Sequence, residues 1–292
     1  ANNLIWDPSN TASTSVSIVS ILAHIIPVDY RLNAAVIVEF IYCGINILFF
    51  ASVIGSSFYY KKTAKLPTYI PTIITVYINT FGYLIHPINM NLIGEDFGRL
   101  INGESLHLNL AIEIISIVLS LFCFIMWFWF LDQISVVSLL FRPNSLLSVL
   151  GSTQTFIFIT TNIVTFLLAI ASQLSKYYSA VLTLITAIIY LVGLTSVYTP
   201  GSFISSVHKR LVFSCSITSS IFTFIMGIYI IFGRYASFAE LFLFVVALVI
   251  VYIISYFVLK RSLRKQMKFL DDVHSNAISI DKIEKPVLVV KY

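Results

Sequence analysis

A chain of 292 residues has length enough for one or two soluble domains, yet only 11% of its residues are charged, 58% are apolar and the mean hydropathy is +0.94. Roughly a quarter of the residues of a soluble domain are charged, so no polar surface is available here to wrap a water-facing core. The net charge of +5 gathers in short clusters at the ends of apolar runs, not among polar and aromatic residues over a compact domain; this argues against a nucleic-acid partner and for a lipid bilayer.

The chain opens on Ala1 with no basic n-region and cleavage site, so no signal peptide is recognised. The absent Met suggests a piece cut from a longer polypeptide. Residues 1–33 are expected to form an extracellular or interfacial segment. Within them, 15–28 is apolar but stops at Pro27 and Asp29, too short to cross a membrane except as an eighth span. About 20 mainly apolar residues are needed for a crossing, and seven stretches qualify: 34–60, 68–87, 108–131, 155–173, 179–199, 211–233 and 238–259. The expected fold is therefore an all-α transmembrane bundle of seven spans over residues 34–259. A basic juxtamembrane stalk and the start of a cytosolic region follow at 260–292.

Lys and Arg set the orientation. Lys61, Lys62, Lys65, Arg142, Lys209, Arg210, Lys260, Arg261, Arg264, Lys265 and Lys268 fall on one side, against Arg31, Arg99, Lys176 and Arg234 on the other. That bias predicts a cytoplasmic C-terminus and an outside N-terminus, in the plasma membrane. The one sizeable external loop is expected from about 91 to 107, with Glu95, Asp96 and Glu104. Cys43, Cys123 and Cys215 all lie inside apolar runs, where neither an extracellular disulfide nor a zinc site is expected.

Ionisable groups within spans are costly and hence informative. Glu39, His86, Glu113 and Glu240 are expected in the outer third of the bilayer, as a polar vestibule for a ligand or as groups that snorkel and cap helix ends. Asn46 extends the face of Glu39 and Cys43. Thr75, Asn79, Gly82 and His86 line one side of the second span at helical spacing. Such faces serve helix packing in lipid as readily as a substrate path. No phosphate loop, HExxH pair or Ser/His/Asp arrangement occurs, so neither catalysis within the segment nor a cofactor is expected.

Seven spans invite comparison with known receptors. The last span has no lysine before Lys260, as a retinal Schiff base would need, and Leu131-Asp132-Gln133 and Val251-Tyr252-Ile253-Ile254 stand where rhodopsin-like receptors carry their triplet and N-P-x-x-Y. The cytoplasmic end says more. Span seven runs without a breaker into 260–270, where Leu263, Met267 and Leu270 fall on one face, as a two-helix stalk needs; a basic helix lying on anionic lipid is the other reading. Beyond it, Pro286-Val287-Leu288-Val289-Val290-Lys291-Tyr292 has the pattern of a strand opening a downstream domain.

In its 141–153 and 260–292 stretches and its general plan, the chain resembles the multi-span membrane region of the large receptor-type adenylate/guanylate cyclases of protists. The resemblance implies a sensory, dimerising module without catalysis of its own, coupled to a cytosolic effector. A small transporter or channel, or a passive membrane anchor, are the alternatives. In intact cells, cysteines substituted for Lys62, Arg142, His208 and Lys265 are expected to escape an impermeant thiol reagent, while those replacing Asn102 and Lys176 react. External labelling at 265 would reverse the assigned orientation.

Overall fold

A computed structural model describes residues 28–78, 82–103, 110–135, 151–193, 206–233 and 237–281. Among them the chain is helical apart from short connections, with no strand. The helices are α1 (Val28–Thr63), α2 (Tyr69–Val76), α3 (Gly82–Ile101), α4 (Leu110–Ser135), α5 (Gly151–Gln173), α6 (Lys176–Gly193), α7 (Ser206–Phe232) and α8 (Phe238–Asp281). Most of the expected 15–28 segment, Asn79, the 141–150 stretch and the 286–292 strand lie outside the described residues.

Among the described residues six helices are long and apolar enough to cross a membrane: Ala34–Thr63, Leu110–Leu131, Thr155–Gln173, Lys176–Gly193, Lys209–Phe232 and Phe242–Lys265. Their outer surfaces are apolar, with Leu48, Phe122, Ile188, Phe232 and Phe257 all more than half exposed, while Glu39, Asn46, Glu113, Ser116, Asn162, Thr186 and Ser214 are fully buried. Polar groups inside and hydrocarbon outside is the distribution a lipid solvent imposes. The chain is an integral multi-pass membrane protein.

The expected span at 68–87 differs. α2 has only eight residues, Tyr77 and Ile78 follow it as a π-helical turn, and α3 runs from Gly82 through Pro87 to Ile101. Helix thus replaces the first part of the loop expected from 91. Pro87 removes one backbone donor but does not end the helix, because neighbouring helices in lipid compensate such a loss. What holds residues 91–101 in the bundle is close packing on α5. A Cβ added at Gly94 would lie 2.6 Å from the Phe166 carbonyl oxygen, and one at Gly98 2.8 Å from Gln173 Cβ. Glycines four apart let two backbones approach in this way. Within the same stretch Arg99 reaches back to Asp96 at 3.4 Å and Glu95 at 4.0 Å, so the acids are neutralised along their own helix.

Contact pairs fix the helix directions. Glu39 meets Ser116 and Phe49 meets Trp127, so α1 and α4 run the same way. Tyr42 meets His86 while Phe49 stacks on Tyr77, so the α2–α3 stretch runs opposite to α1. His86 lies against Phe158 and the Asn102 side chain donates to the Gln173 carbonyl, which makes α3 and α5 parallel. From α5 onward successive helices are antiparallel: Gly193 faces Thr160, Gly227 faces Leu184, and Tyr229 touches Phe244 while Phe213 packs on Leu259. α1, α3, α4 and α5 thus form one compact group, and α6, α7 and α8 extend from α5 in sequence.

A side chain at Gly94 has to push α3 and α5 apart. Gly94→Leu is expected to lower unfolding stability in detergent by about 1–3 kcal/mol, whereas Gly44→Leu, with nothing within 4 Å of its added Cβ, should stay near wild type. Equal melting temperatures for the two variants would contradict the close contact.

Candidate functional site

The interior of the four-helix group carries a continuous polar stripe. On α4 it follows Glu113, Ser116, Ser120, Cys123 and Trp127 at alternating intervals of three and four, the spacing that keeps one helix face inward. All five are buried, and fourteen residues of helix make the stripe about 21 Å long. α1 opposes it with Glu39, Tyr42, Cys43 and Asn46, α3 with His86, Asn89 and Asp96, and α5 with Asn162.

At one end stand three carboxyl groups. Ser116 Oγ donates to Glu39 Oε2 across 2.5 Å and also sits 2.9 Å from the Glu113 carbonyl. Asp96 and Glu113 act electrostatically on Glu39 from α3 and α4. Arg99 is the one cation bonded into this layer among the described residues, and its partner is Asp96. Further along, Tyr42 and His86 Nδ1 are 2.6 Å apart with their rings edge to face, and Cys43 Sγ lies 3.4 Å from Ser120 Oγ. The far end is closed by aromatic rings. Phe49 stacks on Tyr77 at 4.2 Å between centroids, and Trp127 contacts Phe49, Tyr77, Phe130 and His86 at 4.7–5.8 Å.

Hydrogen bonding within this column is incomplete. Asn46 and Asn162 each donate to the carbonyl four residues back on their own helix, both at 2.8 Å, and their side-chain oxygens are left without a donor. Glu39 Oε1, Asp96 Oδ2, Trp127 Nε1 and both amide atoms of Asn89 are likewise without hydrogen-bond partners. Buried polar atoms are nearly always bonded, so such a cluster calls for explanation. Acceptors outnumber donors. The arrangement offers oxygen atoms to a small hydrogen-bond donor. Among the described residues no three His, Cys, Asp or Glu side chains are placed to hold a metal ion.

The candidates expected from sequence are distributed unevenly. Glu39, Asn46, His86 and Glu113 come together in the column. His86, expected near the outer end of the second span, lies midway along the 69–101 stretch because α3 continues to Ile101. Glu240 is elsewhere: its carboxylate accepts from Ser237 N at 2.6 Å while its own N–H donates to Ser237 Oγ at 3.3 Å, a reciprocal cap of α8. Leu263 packs on Phe213 and Leu259 of its own chain; of Met267 and Leu270 only the helical backbone is described. Sequence reading did not single out Tyr42, Asn89, Ser116, Ser120 and Asn162, and it placed Asp96 in the external loop. The available signal was the 3–4 spacing of polar residues inside runs read only for hydropathy. Comparison with known protein families found no match, and comparison with curated proteins and with solved structures found no similar chain.

Removing the Tyr42 hydroxyl leaves His86 Nδ1 without its buried partner. Tyr42→Phe is expected to cost about 1 kcal/mol of unfolding free energy, measured by denaturant titration in detergent. Tyr178→Phe, at an exposed site, should cost nothing measurable.

Proposed function

We propose that the chain is a non-catalytic sensory module of the plasma membrane. It crosses seven times, N-terminus outside and C-terminus in the cytoplasm, and relays a signal through its last helix to a cytosolic effector. The observation that carries this reading is the length of α8. Its 44 residues are unbroken from the apolar stretch through the basic residues after Val258, and span about 66 Å where the hydrocarbon needs about 30. A tether needs no such rod. The mean direction of the 69–101 stretch, opposite to α1 and α4, supports counting it as a crossing despite its interruption. Leu263 ties the base of the projecting part to Phe213 of α7, so a shift of α7 passes directly to it. The polar column of the first four helices is the receiving part, and the effector is a nucleotide cyclase on the resemblance of the general plan. Two copies pair through the projecting helix at Met267 and Leu270.

A small transporter is the second reading, favoured by the π-helical turn at Tyr77 and Ile78 beside a column of unsatisfied acceptors. A passive anchor is the third. Rotational register separates relay from anchor. Deleting one residue turns everything downstream by about 100°, and removing seven nearly restores the phase. In the full-length protein, deletion of Ser262 is expected to abolish or invert the cytosolic output, and removal of residues 263–269 to restore part of it. Output unchanged by the single deletion would reject the relay. Solute flux into protein-containing liposomes, absent from empty ones, would favour the transporter.

A further inference from the structure

The cysteines are placed differently from one another. Cys215 is exposed on α7, whereas Cys43 of α1 and Cys123 of α4 are buried and belong with Tyr42 to one packed cluster. Their thiols lie within hydrogen-bonding reach of each other. The two helices are close at this level. Ser116 and Ser120, four apart on α4 and fully buried, each meet a side chain of α1: Ser116 bonds Glu39, and Ser120 Oγ lies 3.4 Å from Cys43 Sγ. Small residues at that spacing let helices approach in lipid. Cys123 follows Ser120 by three and so shares its face. Cys43 Sγ thus meets a hydroxyl and a second thiol one turn apart on the same neighbour. A disulfide requires Cα atoms within about 7 Å, and it is helices packed through small residues that supply such an approach.

The surroundings of the pair are polar. On α1, Glu39 stands four residues before Cys43 and Asn46 three after, all on one face. Glu39 Oε1 and Asn46 Oδ1 are both buried without a hydrogen-bond partner, which leaves an open acceptor on either side of the sulfur. A water-sized molecule bearing O–H groups suits acceptors of this kind. Hydrogen peroxide has the size and hydrogen bonding of such a molecule and, unlike water, oxidises thiols.

We propose that Cys43 and Cys123 form a peroxide-sensitive dithiol, which oxidation closes into a disulfide between α1 and α4 within the polar column. Cys43, already bonded to Ser120, reacts first. Its sulfur attacks one peroxide oxygen, the O–O bond breaks, and the departing hydroxide leaves as water with the thiol proton. The sulfenic acid so formed is attacked by the Cys123 sulfur. The S–S bond forms, the S–O bond breaks, and a second water carries off the Cys123 proton. Two thiols are oxidised and one peroxide is reduced to two waters. This inference does not depend on the relay reading.

The test treats the purified chain in phosphatidylcholine nanodiscs with hydrogen peroxide, removes the oxidant, then unfolds the chain in excess maleimide for mass spectrometry. Untreated chain takes up three maleimides, one for each cysteine. After peroxide it is expected to lose two of them, keeping the one on Cys215, and to yield a joined peptide pair containing Cys43 and Cys123. Dithiothreitol should restore all three. Full uptake after peroxide overturns the proposal. So does a disulfide through Cys215, or a sulfinic or sulfonic acid at Cys43 or Cys123 without the joined pair. In Cys123→Ser, oxidation should stop at the sulfenic acid of Cys43, which dimedone captures. Thermal unfolding gives a second measurement: peroxide should raise the melting temperature of the wild-type chain, through the new cross-link, and leave that of Cys123→Ser unchanged. Equal shifts in the two chains also overturn it.

Discussion

Everything in this molecule follows from the absence of water around it. In hydrocarbon a backbone or side-chain polar group has no solvent to bond, so it must be satisfied inside the bundle. The helices solve the backbone part. The hydroxyls solve much of the rest locally: Ser56, Thr72, Thr161, Thr165, Thr183, Thr186, Thr218 and Thr223 each donate to the carbonyl four residues back. Most of what is left over collects between α1, α3, α4 and α5. The column of unsatisfied oxygens is thus the residue of a general rule, concentrated in one place, and that concentration is what sets the place apart from ordinary helix packing.

Hydrocarbon solvent also removes the usual drive for helices to associate, since lipid tails are as apolar as leucine. Contacts must then come from close approach and from hydrogen bonds across helices. The tightest contact, α3 on α5, uses Gly94 and Gly98; α6 on α7 uses Gly227 together with a bond from Ser220 Oγ to the Ala187 carbonyl at 2.8 Å. α8 has fewer such devices, and its membrane window is only 11% buried against 28–39% for the other five helices. The helix proposed to carry output is also the one least committed to the bundle.

Six of the expected spans were legible because hydropathy over twenty residues is a strong signal and the helix ends fell close to where polar residues begin. The basic extension of the last helix was legible for the same reason, through the lack of any breaker after Val258. The 91–101 stretch was not. Glu95, Asp96 and Arg99 read as loop because hydropathy counts each charge separately, whereas the structure lets Arg99 neutralise both acids one turn away. Glu39 and Asn46 were found through their position inside an apolar run. Ser116, which bonds Glu39, and Ser120 and Asn162 in the same column were missed, since a lone hydroxyl or amide hardly lowers the average. Glu240 shows the converse, an acid near a span that serves its own helix end.

A rigid rod converts angle into distance. If α8 pivots where Leu259 rests on Phe213, a tilt of about 5° over the roughly 30 Å beyond that point moves its far end by nearly 3 Å. Two such rods leaning in opposite senses would change their separation by twice that amount, comparable to the radius of a helix with its side chains, about 5–6 Å. Motions small enough to leave the packing of the bundle intact would therefore suffice, at the end of α8, to bring two such rods together or part them.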